Sequence, residues 1–502
     1  MPTRRAVCLG AALLAARGTA RAEVPVRDTL RIMWRDAVAN PDPYANQLRA
    51  GLVLAHHIWD CLVDRDPQSL QIRPLLATSW SQPYETTWRF TLRGGVRFHD
   101  GSPFGAADVV DTVRRVAAGD VAVPGLYAWL KDAEAEDDTA VRLLLHQPFP
   151  AALDYLAMVL PILPRGWTPQ PDGAVPPGTG PYRLAERVGG ERMTLERFED
   201  YFTGGPKGRP AIARLAIRAM EDEQAPFTAL LSDATDWIWQ LGPDQFDALQ
   251  HQPGLQAQRV ESMRLGYLSL DAAGRSGADA PTTQLKVRQA VLHALDRPAI
   301  AKRLGSVAGR VPDTPCYPTQ FGCDAAAAVR YPYDPARAKA LLAEAGYADG
   351  FTTELVSHVL PEDGQAVRSY LQAVGITANL VQVSTNQALA LVAAGKAPLF
   401  MGSWGSYAIN DVAAILPHFF GGGPLDQARL PALRALLAQA GRSGNPDQRR
   451  GLYSRAIRQI TAEALWTPTH SYATTYGFNK ALNFKSFPDE LPRFYLASWR
   501  AG

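Results

Sequence analysis

Long apolar runs and an excess of charge are both missing from this sequence, and each absence excludes a class of protein. No segment beyond residue 22 contains about 18 uninterrupted apolar residues, so we expect a soluble mature chain without a membrane-spanning helix. The formal net charge of the 502 residues is +2. A charge this close to zero provides no basic field for a polyanion, which argues against nucleic acid as a partner.

The sequence also lacks the motifs of the common enzyme and metal-site classes. The segment Pro177–Gly180 has neither the glycine spacing nor the Lys-Ser/Thr pair of a phosphate-binding loop, and no Gly-x-Ser-x-Gly motif occurs. The histidines are scattered without the spacing of a zinc site, and the acidic run at 132–138 is interpreted as a solvated turn. We therefore expect no enzyme activity, no metal and no cofactor.

The N-terminus, residues 1–22, is typical of an export signal. Arg4 and Arg5 precede an apolar stretch, Ala6–Ala16, which is too short to span a bilayer. An Ala-Arg-Ala sequence then supplies the small residues that a signal peptidase requires, so cleavage is predicted after Ala22. The arginine pair loosely resembles a twin-arginine signal, and both that route and the general secretory route stay open. The predicted location is the periplasm.

Cysteine placement fits an oxidising compartment. Cys316 and Cys323 flank Tyr-Pro-Thr-Gln-Phe-Gly, a loop-like segment with two turn formers, and so short a loop favours a disulfide. The alternative is a pair of free thiols whose Cα atoms lie too far apart. Cys61 stands in an apolar stretch and is expected to be a small buried hydrophobic residue.

Apolar periodicity predicts strands and helices in alternation, which is typical of an α/β architecture with mixed sheets. Residues 88–98 alternate on one face and predict a hairpin that turns at 94–95. Asp334 is predicted to cap a helix that has Pro335 at its first position and Gly346 just past its end.

The most distinctive block of the chain is residues 88–110, Trp-Arg-Phe-Thr-Leu-Arg-Gly-Gly-Val-Arg-Phe-His-Asp-Gly-Ser-Pro-Phe-Gly-Ala-Ala-Asp-Val-Val. Other blocks follow it or precede it in a fixed order, at 62–67, 74–80, 178–182, 287–297 and 333–347. Together, in order and spacing, they resemble the family 5 solute-binding proteins of bacterial ABC importers. That group includes dipeptide-, oligopeptide-, nickel- and glutathione-binding receptors.

The resemblance implies a type II, cluster C-like periplasmic-binding-protein fold with two α/β lobes, an extra subdomain on lobe one and a ligand cleft at the hinge. We expect lobe one at 23–265 with its subdomain at about 66–184, and lobe two at 266–474. A C-terminal segment, 475–502, would return to lobe one. Within this fold the block at 88–110 is implied to be scaffold and not the binding site.

The resemblance also directs attention to residues 401–411, Met-Gly-Ser-Trp-Gly-Ser-Tyr-Ala-Ile-Asn-Asp. Peptide receptors of the family often carry an Asp there that holds the amino terminus of the peptide, and Ser406 occupies the aligned position. Dipeptide-binding relatives hold the carboxyl terminus with an Arg after the strand that is here Thr353–Val356, but none follows before Arg368. The two departures argue against a strict free-dipeptide receptor.

The candidate ligand-binding residues fall into two groups, each with a structural alternative. The first group lines the implied cleft on lobe two and comprises Trp404, Ser406, Tyr407, Asn410 and Asp411. Trp404 has a core position as its alternative, and the last two can instead cap a helix that begins near Val412. The second group follows the first strand, where surface-loop or packing roles are the alternative, and comprises Trp34, Asp42 and Tyr44.

The predicted function is a periplasmic substrate-binding receptor that encloses a peptide-like small molecule and delivers it to the permease subunits of an ABC importer. It would be a monomer that meets the inner membrane only through that permease. Non-peptide cargo, such as a metal chelate, an opine or a sugar derivative, is the alternative within this class. An unrecognised secreted hydrolase and a periplasmic scaffold or chaperone-like protein are the alternatives from other classes.

Overall fold

The structure is a computed structural model that describes residues 27–46, 48–170 and 174–500. The predicted export signal and its cleavage site after Ala22 lie outside the described residues. Within the described part of the chain, no helix is both long and apolar enough to traverse a bilayer.

Eighteen strands are present among the described residues, and they are numbered in chain order. They are β1 Thr29–Trp34, β2 Val63–Arg65, β3 Ile72–Pro74, β4 Ala77–Tyr84, β5 Thr87–Leu92, β6 Leu130–Asp137, β7 Ala140–Leu145, β8 Tyr182–Val188, β9 Arg192–Arg197, β10 Arg214–Ala219, β11 Trp237–Trp239, β12 Leu255–Leu270, β13 Phe351–Ser357, β14 Ile376–Gln382, β15 Leu399–Trp404, β16 Trp466–Asn479, β17 Leu482–Asn483 and β18 Ser498–Trp499.

Thirteen α-helices accompany the strands in the described ranges. They are α1 Arg49–Ile58, α2 Ala106–Ala117, α3 Ala152–Val159, α4 Ala225–Leu231, α5 Pro243–Gln250, α6 Leu285–His293, α7 Arg297–Arg303, α8 Pro335–Glu344, α9 Pro361–Ala373, α10 Thr385–Ala393, α11 Leu416–Phe420, α12 Pro431–Arg442 and α13 Pro446–Ala462.

Ten strands form one mixed sheet in the order β14-β13-β15-β12-β16-β11-β1-β10-β9-β8. Its fourth and fifth strands, β12 and β16, are much longer than the rest, and we call this antiparallel pair the central ribbon. The pairing runs from Leu255 with Asn479 to Ser269 with Trp466, and it is interrupted around residues 262–264. The ribbon therefore belongs to both halves of the sheet.

The hydrophobic core divides on either side of that interruption. One cluster is built mainly from residues before Val260 and after Ala473, whereas two others are built from residues between Met263 and Trp466. β16 is buried along almost its whole length and is rich in threonine, tyrosine and phenylalanine, residue types that suit a strand covered on both faces. The result is two packed lobes joined by the central ribbon.

The block at 88–110 lies in a second sheet of four strands, in the order β4-β5-β7-β6. The predicted hairpin was wrong in its second arm, because β5 pairs with β4 on one side and with β7 on the other. Residues 94–98 instead form a tight loop, closed by a hydrogen bond from the Phe98 N–H to the Ser102 carbonyl at 2.9 Å. The apolar alternation indicated the strand correctly but not its partners, which are distant in sequence.

The acidic run at 132–138 is mostly strand β6 and not the expected solvated turn. Ala133 is completely buried in this strand, and the acidic side chains between the alanines point away from the core. Three arginines from neighbouring elements pair with them, Arg114 with Asp132, Arg142 with Glu134 and Arg89 with Glu136. These cross-element pairs compensate a charge pattern that by itself is typical of a turn.

The capping prediction for α8 is confirmed. The carboxylate of Asp334 accepts a hydrogen bond from the Arg337 N–H at 2.8 Å, Pro335 opens the helix, and Gly346 has a left-handed φ of 89°. A glycine tolerates that conformation without steric cost.

A disulfide joins Cys316 and Cys323, whose Cα atoms are 5.8 Å apart. The closed loop is attached to a distant segment, because Phe321 donates its N–H to the Asn410 carbonyl at 3.0 Å and accepts from Val412 at 3.1 Å. Cys61 is buried, and burial raises the pKa of its thiol to about 12.

The Pro-Pro-Gly-Thr-Gly-Pro cluster at 176–181 is packed against the end of α1. A Cβ atom added to Gly178 would lie 1.8 Å from the Ile58 carbonyl oxygen, and one added to Gly180 would lie 2.6 Å from the carbonyl oxygen of His57. The His99 N–H also donates to the Gly178 carbonyl at 2.8 Å. These glycines therefore serve close backbone packing within lobe one.

We expect Gly178→Ala to lower the free energy of unfolding by about 3 kcal/mol, because the new methyl group meets a backbone oxygen that cannot rotate away. Gly423→Ala is the matched control, since nothing lies within 4 Å of its added Cβ, and it should change stability by less than about 0.5 kcal/mol. Urea unfolding of both variants measures the difference. Equal stabilities would contradict this account of the turn.

Candidate binding cleft

The loops that leave the carboxyl ends of three strands meet at the central ribbon. β13 and β15 are parallel neighbours on one side of it, and β1 lies parallel to β10 and β11 on the other. Asp36, just after β1, is close enough to Arg264 of β12 for their charges to interact. A crevice outside the carboxyl ends of strands is the usual ligand position in open α/β sheets.

An ion cluster of Arg49, Arg264 and Glu490 occupies the floor of this crevice. The Glu490 carboxylate accepts from Arg49 Nη2 at 2.8 Å and from Arg264 Nη2 at 2.9 Å. The side chain of Glu490 is 9% exposed, that of Arg49 10% and that of Arg264 28%. Burial by itself would raise the pKa of the Glu490 carboxyl, but the two guanidinium groups bring it down to about 2. The carboxylate thus joins helix α1 to the ribbon.

The neighbouring residue, Asp489, is bound to lobe one. Its carboxylate forms two hydrogen bonds with Arg493, at 3.0 and 2.7 Å, and lies 3.5 Å from the fully buried Arg65. Burial opposes ionisation of Asp489, yet Arg493 and then Arg65 lower the pKa of its carboxyl to about 2. Two consecutive acids therefore hold the C-terminal segment against the floor of the cleft.

The segment 404–411 forms one wall and contacts both lobes. Ala408 and Ile409 pack into the core of lobe one, whereas Val412, directly after the segment, packs into the core of lobe two. Its backbone makes an unusual turn, since Ser406, Tyr407 and Ala408 have φ values of 52°, 49° and 62°. Left-handed conformations of this kind cost about 1 kcal/mol or more per residue for side chains other than glycine.

Aromatic rings line the half-buried side of that wall. Trp404 stacks on His418 with centroids 4.1 Å apart and meets Tyr407 edge-on at 4.8 Å. Burial lowers the pKa of His418 to about 4, so its ring is neutral at pH 7. Trp404 and Tyr407 are both partly exposed, whereas Ser406 between them is fully buried and its hydroxyl has no hydrogen-bond partner among the described residues.

Asp411 takes the capping role that was one alternative for it. Its carboxylate accepts from the Ala413 N–H at 2.8 Å and also forms two hydrogen bonds with Arg449, at 2.7 and 2.8 Å. The same pair borders a cavity of about 310 Å³ between the four-stranded sheet and α13, with aromatic walls from Trp88, Phe149 and Phe321. Asn410 is half-buried and bonded through its carbonyl to the disulfide loop.

Trp34, Asp42 and Tyr44 lie in the interior of lobe one. Trp34 packs on Trp239 with ring centroids 5.7 Å apart, and the Tyr44 hydroxyl donates to the Pro161 carbonyl at 2.5 Å. Asp42 accepts from the Tyr44 N–H at 2.8 Å and from Arg115 at 3.2 Å. The polar atoms of Asp42 and Tyr44 are thus bonded within the lobe, and no described polar contact joins these three residues to the segment 404–411.

The lobe-two face of the cleft contains polar residues that sequence reasoning missed. The Tyr472 hydroxyl donates to Asp363 at 3.4 Å, and burial raises the pKa of that carboxyl to about 7. Ser357, at the end of β13, is fully buried, and its hydroxyl has no partner in the described part of the chain. Sequence reasoning also missed Arg49, Arg264 and Glu490. No local pattern connects residues that lie so far apart in sequence.

Known proteins resemble this chain in sequence and in fold. The family model for bacterial extracellular solute-binding proteins, family 5 Middle, matches residues 71–426. The glutathione-binding protein GsiB of Escherichia coli strain K12 is 26% identical over 461 residues, which cover 85% of this chain and 86% of that protein.

Two solved structures have the same fold as this chain. One is the periplasmic binding protein DppA from Helicobacter pylori in complex with the peptide STSA, with a TM-score of 0.79, 21% identity and coverage of 94% and 98% of the two chains. The other is NikA from Brucella suis in complex with Fe(III)-EDTA, with a TM-score of 0.81, 22% identity and coverage of 94% and 100%. The expected two-lobed type II periplasmic-binding-protein fold is confirmed by these matches.

We expect Glu490→Gln to lower the free energy of unfolding by about 3 kcal/mol at pH 7, because two buried guanidinium groups lose their shared carboxylate. The folded-state pKa of about 2 lies below the ordinary value of 4.5. The stabilisation is therefore complete above about pH 5 and is lost as the pH falls towards 2. Urea unfolding of both proteins between pH 7 and pH 3 should show the difference narrowing.

Glu463→Gln is the control for this experiment, since Glu463 pairs with Arg288 at 3.3 Å but is 43% exposed. It should cost less than about 1 kcal/mol at any pH in this range. A pH-independent loss in Glu490→Gln would contradict the assignment.

Proposed function

Because the chain belongs to the family 5 bacterial extracellular solute-binding proteins, we propose that it is the periplasmic receptor of an ABC importer for a peptide-like small molecule. The observation that carries this proposal is the family match over residues 71–426 on a fold whose two lobes meet at one crevice. Proteins of this family are binding receptors, so the chain is a binding protein and not an enzyme.

The central ribbon supplies the mechanical element that such a receptor needs. Bending where the β12–β16 pairing is interrupted would move one lobe relative to the other without breaking either core. Closure over a small molecule excludes water and strengthens each polar contact inside. The cargo stabilises the closed state by its greater affinity for that state, and the permease recognises the closed receptor.

The proposed division of the chain follows the ribbon. Lobe one comprises 23–265 with a subdomain at about 66–184, lobe two comprises 266–474, and 475–502 returns to lobe one. In support, the core clusters separate near the interruption of the ribbon. Residues 1–22 would direct export and be removed, leaving a periplasmic monomer that meets the membrane through the permease subunits.

The proposed cargo contacts are centred on the segment 404–411. Trp404 and Tyr407 offer partly exposed aromatic faces, and Ser406 lies buried between them with a hydroxyl that has no partner among the described residues. Asn410 continues the same wall, and Asp411 borders the cavity of about 310 Å³. That volume is at the lower end of the range for small-molecule pockets.

Two cargo classes follow from the comparisons. The glutathione-binding protein GsiB and the DppA complex with a peptide favour a short peptide or peptide derivative. The NikA complex with Fe(III)-EDTA favours a metal chelate as the second candidate.

Native mass spectrometry of the protein purified from periplasm, followed by denaturation, tests the proposal. We expect a stoichiometric small molecule to be released, and we expect thermal stabilisation of several degrees when glutathione, tripeptides or metal chelates are screened against the unliganded protein. A peptide would support the first cargo class, and a chelate would support the second. An empty spectrum, with no stabilisation across the panel, would overturn the receptor proposal.

A further inference from the structure

The ion cluster on the floor of the cleft contains more positive than negative charge. Arg49 and Arg264 share a single carboxylate, that of Glu490, and both guanidinium groups are largely buried. A buried cation is costly unless a counter-charge and hydrogen bonds compensate it. One further anionic group at this position would balance the cluster.

Both arginines retain hydrogen-bonding capacity that the protein does not use. The Nε–H of Arg49 is buried and has no partner among the described residues. Arg264 directs Nε and Nη2 at Glu490, and no acceptor for its Nη1 group is found within residues 27–46, 48–170 and 174–500. At 28% exposure the Arg264 side chain is the accessible member of the pair.

The wall segment lies directly against this pair. A Cβ atom added to Gly405 would be 2.9 Å from Arg49 Nη2 and 3.1 Å from Arg264 Nη2, so only glycine leaves room for both guanidinium groups. The next residue, Ser406, is neutral and fully buried, so it supplies no counter-charge.

Other ionisable groups around the cleft offset this excess only in part. Arg35 is paired with Glu223, and burial lowers the pKa of His358, so that its ring is neutral at pH 7. Asp36 is close to Arg264 but is exposed, and no ion pair of its own is found in the described part of the chain. Asp363 is bonded to Tyr472 and not to the arginines.

We propose that Arg264, supported by Arg49, binds a carboxylate of the cargo, so that the receptor selects molecules with a free carboxylate over the corresponding carboxyl esters and amides. The proposal rests on the proposed function and specifies the chemistry of its cargo. The planar guanidinium fork suits a carboxylate, and such charge-assisted bonds are stronger than neutral ones.

Isothermal titration of the mature protein with two matched pairs of probes tests the proposal. The pairs are glutathione with its diethyl ester and trialanine with trialanine amide. We expect the free acid of a bound pair to bind about 10-fold more tightly than its ester or amide, as the loss of one charge-assisted bond implies. Equal binding of the free acid and its ester or amide by the wild-type protein would overturn the proposal, and this comparison requires no variant.

Arg264→Gln should reduce the preference for the acid to less than about 3-fold. Arg310→Gln is the matched control. Arg310 pairs with Glu261, which lies on the same strand as Arg264, but the Arg310 side chain is 52% exposed. This variant should keep the full preference for the free acid. An unchanged preference in Arg264→Gln, with a melting curve like that of the wild type, would also overturn the proposal. If no compound of the screening panel binds the wild-type protein, the receptor function itself is overturned. That result differs from one in which compounds bind without a preference for the free acid, which overturns only the carboxylate proposal.

Discussion

The pairing of β12 with β16 is the constraint on which the rest of the structure depends. These are the fourth and fifth strands of the ten-stranded sheet, and each lobe adds its own strands to a different part of them. The ladder is broken only around residues 262–264 and at one further register shift beside Gly266. Bending is therefore concentrated where few ladder hydrogen bonds resist it, while the paired parts keep each lobe rigid.

The interruption of the ribbon coincides with the ion cluster. Arg264 leaves the ladder and turns towards Glu490, and the same carboxylate binds Arg49 at the start of α1. A charged cluster of this kind contributes little net stability compared with apolar packing, but removal of one member is expensive. The cluster lies at the junction of both lobes, and the buried Nε–H of Arg49 has no partner there among the described residues.

The wall segment 404–411 connects the binding surface to both cores. Its left-handed turn at Ser406, Tyr407 and Ala408 stores backbone strain next to the arginine pair. Tyr155 of α3 reaches across from lobe one and donates to the Ala413 carbonyl at 3.4 Å. Strained backbone that is held by contacts from two lobes is characteristic of switch regions, where a small change in the contacts of one side alters the fit of the other.

Sequence patterns determined the local features of this protein. The cap at Asp334 and the α/β class follow from short-range periodicity and turn chemistry, which neighbouring residues specify. The family was indicated separately, by the resemblance of residue blocks such as 88–110 to its members. Strand partners did not follow, since β5 pairs with strands on both sides of it, and the acidic strand β6 is stabilised by arginines from other elements. Only the tertiary structure decided the composition of the cleft, because Arg49, Arg264 and Glu490 come from three distant parts of the chain and meet through folding alone.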